Sequence, residues 1–164
     1  MSQPPQLFDR QAQDHRRARA ALWPPADRFL HALARDEINE RLAEVNRTFT
    51  NVAVVTPFPQ DWGGTDALII ADAEVLPIET ASHDLIIHAF SLHAQNDPIG
   101  QLIQSRRGLK GDGLFLGVMF GGQTLHELRT VLATAESEVT GGLSPRVAPM
   151  GDIRDLGGLL GRAG

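Results

Sequence analysis

Asp84-Leu85-Ile86-Ile87-His88-Ala89-Phe90, then Asp97-Pro98, then Leu114-Phe115-Leu116-Gly117-Val118-Met119-Phe120: this stretch decides the fold. The two apolar runs are strand-sized and bounded by polar or glycine-rich turns. Asp97-Pro98 reads as an N-cap followed by a first-turn proline, opening a helix through Arg107. A strand, a helix and a second strand in this order form a βαβ unit. The runs are apolar throughout rather than alternating, as expected of parallel strands covered by helices on both faces.

The same pattern extends in both directions. Upstream, Val52-Ala53-Val54-Val55 and Ala67-Leu68-Ile69-Ile70-Ala71 read as two more buried strands. Thr56-Pro57-Phe58-Pro59 ends the first, because proline cannot donate to a ladder. Ala26 to Val45 is predicted helical from the spacing of Phe29, Leu30, Leu33, Ile38, Leu42 and Val45. Leu7 to Trp23 reads as a separate helix with few apolar residues, broken by Pro24-Pro25. Downstream, Gly111-Asp112-Gly113 is predicted as a turn. Thr124 to Val139 is predicted as a helix, Gly141 to Met150 as a loop and Asp152 to Arg162 as a short helix. The chain divides into an N-terminal helical segment, residues 1–46, and an α/β domain, residues 47–164.

Composition narrows the function. The chain has 164 residues, 42% hydrophobic, and a formal charge of −5. That acidity excludes a general nucleic-acid binder and gives no reason to expect an anionic membrane surface as partner. The absence of cysteine excludes thiolate chemistry. No run is long enough to span a membrane, and Met1-Ser2-Gln3-Pro4-Pro5 carries no apolar signal core, so a cytoplasmic protein is expected.

From Asp72 onward a series of motifs occurs in order. They are Asp72-Ala73-Glu74-Val75-Leu76-Pro77, Ser91-Leu92-His93, Asn96-Asp97 and Leu109-Lys110-Gly111-Asp112-Gly113. Then come Met119-Phe120-Gly121-Gly122-Gln123-Thr124-Leu125-His126-Glu127-Leu128-Arg129, Gly141-Gly142-Leu143-Ser144-Pro145-Arg146 and Asp155-Leu156-Gly157-Gly158-Leu159-Leu160. With Leu7-Phe8-Asp9-Arg10 near the start, the series resembles one branch of the class I S-adenosylmethionine-dependent methyltransferases. That branch holds mitochondrial complex I assembly factors and alphaproteobacterial relatives. More distantly it is similar to the malonyl-carrier-protein methyltransferases of biotin synthesis.

The resemblance implies a Rossmann-like, mostly parallel sheet and S-adenosylmethionine as cofactor. It implies that Asp72, with Ala73 beside it, meets the adenine amine, and that His88 and Ala89 border the cofactor at a strand end. It identifies no catalytic residue.

The chain departs from the family pattern in two places. Where the family has a glycine-rich loop after the first strand, this chain has Thr56-Pro57-Phe58-Pro59. The helix and strand that follow are missing, with only Gln60 to Thr65 in their place. At Gly164 the chain stops where the resemblance implies further strands. The expected sheet is therefore reduced after its first strand and truncated at its C-terminal side, with an edge open to a homodimer or a protein partner.

Two functions lead, with a different nucleotide binder in the same cleft as a third reading. One is a methyltransferase-like protein with a degenerate cofactor loop. The other is a cofactor-free assembly or binding factor, a pseudoenzyme, for which a protein partner or protein substrate is expected. His83, His88 and His93 are five residues apart and do not converge, so no metal site is predicted. His93 is a candidate general base. Gly121-Gly122-Gln123-Thr124 reads as a strand end with a helix cap. Arg16, Arg17 and Arg19 read as a solvated helix face, with an acidic partner as the alternative. Trp23 and Trp62 flank loops, and the sequence leaves core and docking roles open for both.

Overall fold

The computed structural model describes residues 6–64 and 66–164. Met1 to Pro5, read above as lacking a signal core, and Thr65 of the short link lie outside them. Four strands, β1 (Val52–Thr56), β2 (Leu68–Ala71), β3 (His83–Ala89) and β4 (Leu109–Val118), form one sheet in the order β2-β1-β3-β4. All neighbours are parallel. The helices are α1 (Arg10–Ala21), α2 (Phe29–Glu44), α3 (Pro98–Gly108), α4 (His126–Thr140) and α5 (Ile153–Ala163).

Alternation along the strands supplies two apolar faces. Val54, Leu85, Ile87 and Ala89 point to one, where Ile38 of α2 and Trp62 close over them. Ala53, Val55 and Ile86 point to the other, with Ile70, Leu76 and Leu109. On this second face α3 packs closely. Gly108 lies where a Cβ would sit 2.3 Å from Ile78 Cγ2. Asp97 caps α3 by accepting from the Gly100 N–H at 2.8 Å.

The link from β1 to β2 contains one 3₁₀ turn, Pro59–Trp62, and the two strands pair directly, Ala53 opposite Leu68. The missing helix and strand therefore leave no gap in the sheet. The predicted turn at Gly111-Asp112-Gly113 requires correction, because these residues lie inside β4. From the His83–Leu109 pair to the Leu85–Leu114 pair, β3 advances two residues while β4 advances five. The extra residues bulge out of the ladder, and glycines suit a bulge as readily as a turn.

The outer edge of β4 has no strand partner among the described residues. Beyond it, neither α4 nor α5 contributes a buried residue. The expected cap at Gln123 or Thr124 is also corrected. Leu125 occupies the N-cap in the left-handed region, φ 56°. Thr124 Oγ1 donates to the Gly121 carbonyl instead.

Candidate functional site

Parallel strands present their carboxyl ends together, and ligands of open α/β sheets bind beside those ends. Here the loops after β1, β3 and β4 and the helices α1 and α2 surround a cleft of about 310 Å³. Its walls include Arg17, His31, Phe58, Phe90, His93 and Phe120. The rings form a connected chain, edge-on except for the tilted pair of Phe90 and Phe120. His31 meets Phe58 at 5.2 Å and Phe90 at 4.9 Å, and Phe120 meets Phe90 and His93 at 5.0 Å each.

Asp72 follows β2 directly and is 2% exposed. Its backbone N–H donates to the Thr56 carbonyl, which ties the acidic loop to the end of β1. Both carboxylate oxygens are engaged. Oδ1 accepts from Arg17 Nη1 at 2.9 Å and from Arg10 Nη2 at 3.2 Å, and Oδ2 accepts from Gln95 Nε2 at 3.1 Å. Arg10 also donates to the Asp72 carbonyl. Burial pushes the Asp72 carboxyl up, against the opposing pull of Arg17 and Arg10. Ala73 is exposed, and its carbonyl accepts from Gln101 Nε2 at 2.8 Å.

The reading of the arginine cluster as a solvated face therefore needs correction. Arg10, Gln13 and Arg17 recur at helical spacing and turn inward, where Gln13 Nε2 also donates to the Ala94 carbonyl. Arg16 and Arg19 stay exposed. Sequence reasoning missed Arg10, Gln13 and Gln95. The three- and four-residue spacing of Arg10, Gln13 and Arg17 was the available signal.

The loop after β1 is short of donors. Pro57 and Pro59 have no N–H, and the N–H of Phe58 donates to Thr56 Oγ1 at 3.2 Å.

His88 and Ala89 also require correction. Both are 0% exposed and lie within the sheet rather than on the cleft wall. His88 Nδ1 shares a hydrogen bond with Ser91 Oγ at 2.9 Å, and Nε2 with Ser105 Oγ at 2.8 Å. Burial lowers its pKa to about 4. His93 does reach the cleft. Burial, with Arg17 adding to it, lowers its pKa to about 4, so the ring is neutral at physiological pH and a weak base. Its Nδ1 has no partner among the described residues.

A parallel α/β sheet with a cleft at its carboxyl edge and an acid at the end of the strand beside β1 defines a Rossmann-like fold. The comparisons agree. No family model matches the chain. The mouse (Mus musculus) protein named arginine-hydroxylase NDUFAF5, mitochondrial, is 50% identical over 96 residues, covering 58% of this chain and 28% of its own length. A malonyl-[acyl-carrier protein] O-methyltransferase of Laribacter hongkongensis is 34% identical over 98 residues, covering 60% of this chain and 31% of its own. Among solved structures, a Thermotoga maritima S-adenosylmethionine-dependent methyltransferase superposes with a TM-score of 0.52 at 16% identity, covering 84% of this chain and 78% of that one. The chain is thus similar to NDUFAF5 over part of its length, and its fold is that of the Rossmann-like methyltransferases. The matched region spans less than a third of the length of either of these two curated relatives.

Proposed function

We propose that this chain is a binding or assembly factor that keeps the methyltransferase sheet and works without S-adenosylmethionine. The observation that carries this reading is the double hydrogen bonding of Asp72 by Arg10 and Arg17. An acid placed to accept from an adenine amine already accepts from guanidinium groups of the chain's own first helix. The donor set supports the same reading. In the family pattern, glycines after the first strand let the backbone approach the cofactor closely. Thr56 to Pro59 contain two prolines, and the Phe58 N–H is engaged within the loop. These residues do not fit the cofactor, and we derive no methyl-transfer step.

What remains at the site suits recognition of a protein, by the exposed helix faces and the open edge of β4. A second copy of the chain is the other occupant that the open edge would accept. The arginine hydroxylation named for the mouse relative belongs to that protein. We also propose a cytoplasmic location for the factor.

Calorimetric titration with S-adenosylmethionine and S-adenosylhomocysteine tests the proposal. The expected result is no heat of binding up to millimolar ligand from protein shown to be folded. Micromolar binding that disappears in Asp72→Ala would overturn it.

A further inference from the structure

Residues 123–150 form an arm that packs on itself. Its base is pinned where the Gly122 N–H donates to the Gly151 carbonyl at 2.9 Å. From there α4 runs outward, and Gly141, at φ 71°, turns the chain back. Glu136 staples the returning loop to the helix. Its carboxylate accepts from the Ser144 N–H at 2.9 Å, the Ser144 hydroxyl at 2.6 Å and Arg146 Nη2 at 2.7 Å. Arg129 Nη2 donates to the Ala148 carbonyl at 3.2 Å. Among the described residues, no hydrogen bond or ion pair carries the arm beyond its base at Gly121 and Gly151. Neither apolar core includes an arm residue.

The arm carries an apolar face of its own. Leu128, Val131, Ala135 and Val139 recur at helical spacing on α4. Leu128 is 46% exposed, Val131 64% and Val139 83%. The returning loop lies over the adjoining face, beside Leu132 and Ala133, and leaves this one open.

The sheet has a groove to match. Between α2 and the start of α5, β4 lies open along a groove of about 610 Å³. Ile38, Leu116, Val118, Ile153 and Leu156 supply its apolar wall, and Gly122 and Gly151 at the base of the arm border it. The arm thus begins at the rim of the groove without entering it. For α4 to lie in the groove of its own chain, the backbone between Gly121 and Leu125 would have to refold. A second copy needs no such change.

Exposed area points the same way. A folded monomer of 17.8 kDa leaves about 8,000 Å² accessible. This chain exposes 10646 Å², roughly 2,600 Å² more. A standard interface takes about 800 Å² from each partner. The excess is enough for one. Because face and groove belong to the same chain, two copies related by a twofold axis cover both at once and close the assembly. A different protein would have to bring a helix for the groove and a groove for the helix.

We propose that two copies of this chain dimerise by exchanging arms, each laying the Leu128 face of α4 in the β4 groove of the other. The contact extends the recognition reading above and stands apart from the cofactor question. No arm or groove residue touches Asp72, and association is measured without S-adenosylmethionine, so failure here leaves the cofactor-free reading as it was.

Sedimentation of the full chain from about 1 to 100 μM tests it. The expected result is a dimer that forms in the micromolar range. Leu128→Asp on the arm and Ile153→Asp in the groove should each weaken it at least about thirtyfold. Both side chains are exposed in the single chain, so the dilute variants should melt with the wild type. The chain has no cysteine. Leu128→Cys and Ile153→Cys can therefore be prepared separately, mixed and joined by a short bismaleimide, and a cross-link between the two preparations is expected. A folded chain that sediments as a monomer throughout overturns the proposal. So does a dimer that either aspartate leaves intact, or one that gives no mixed cross-link, as pairing through the open β4 edge would. Leu128-dependent capture of another protein by a monomeric chain also overturns it, and would assign the arm to a foreign partner.

Discussion

His88 should make the fold acid-sensitive. Its ring is fully buried, and both nitrogens are held by the hydroxyls of Ser91 and Ser105. Its pKa is lowered to about 4 because burial disfavours the charged form. In the unfolded chain a histidine titrates near 6.5. The sign follows directly. The unfolded state takes up a proton as pH falls below about 6.5, while the folded state stays neutral until about 4. Stability from this residue is complete above about 6.5 and is lost as pH falls toward 4. At pH about 4.5 the unfolded state has gained about two pH units of protonation free energy, which is about 2.5 kcal/mol. Urea denaturation at pH about 7.5 and about 4.5 measures the loss. His88→Gln should unfold more easily at the higher pH, because it fits the two hydroxyls less well. It should also lose about 2.5 kcal/mol less than the wild type on acidification. A variant with the same pH dependence as the wild type would refute the assignment, and another buried group would have to carry the effect.

Other outcomes follow from the same geometry. Burial alone would raise the Asp84 pKa, but hydrogen bonds from Asn51 and Thr50, with Lys110 nearby, hold it at about 2. Asp84→Asn should cost about 2 kcal/mol at neutral pH. It should also abolish the stability that the wild type loses as pH falls from about 4 to 2, which acid titration of the two proteins would show. Gly108→Ala places a methyl 2.3 Å from Ile78 Cγ2 and 3.2 Å from Ile86 Cδ1, and should cost about 1–3 kcal/mol in a urea melt. Replacing Arg10 and Arg17 together by alanine should release α1, which has no buried residue of its own. Hydrogen exchange should then rise across residues 10–21 and remain unchanged in β1 and β3; equal protection in both proteins would show that the Asp72 contacts do not hold the helix.

Much of the sheet is legible because its signals are local. The apolar runs of β1 and β3 are short, rich in β-branched residues and closed by breakers. Asp97-Pro98 declares the start of α3 within four residues. The bulge in β4 was not legible, because Gly-Asp-Gly has the same conformational freedom in a turn and in a bulge. The site failed for a different reason. Arg10 is 62 residues from Asp72, so its partner is settled only by tertiary packing. An arginine-rich helix with few apolar residues has the same composition whether one face is solvated or turned inward. For His88, the sequence placed the residue at a strand end but could not choose its face. Trp23 and Trp62 both flank loops, and only the packing of α2 over the sheet buries one and leaves the other exposed.

Ligand-induced stabilisation tests most directly whether this Rossmann-like sheet has a working place for S-adenosylmethionine. A ligand present at one hundred times its dissociation constant stabilises a fold by about 2.7 kcal/mol, and for a chain of this size that raises the melting temperature by about 5–10 °C. With millimolar S-adenosylmethionine or S-adenosylhomocysteine, the account predicts an unchanged melting temperature. A rise of about 5 °C or more, lost when Asp72 becomes alanine, would contradict it.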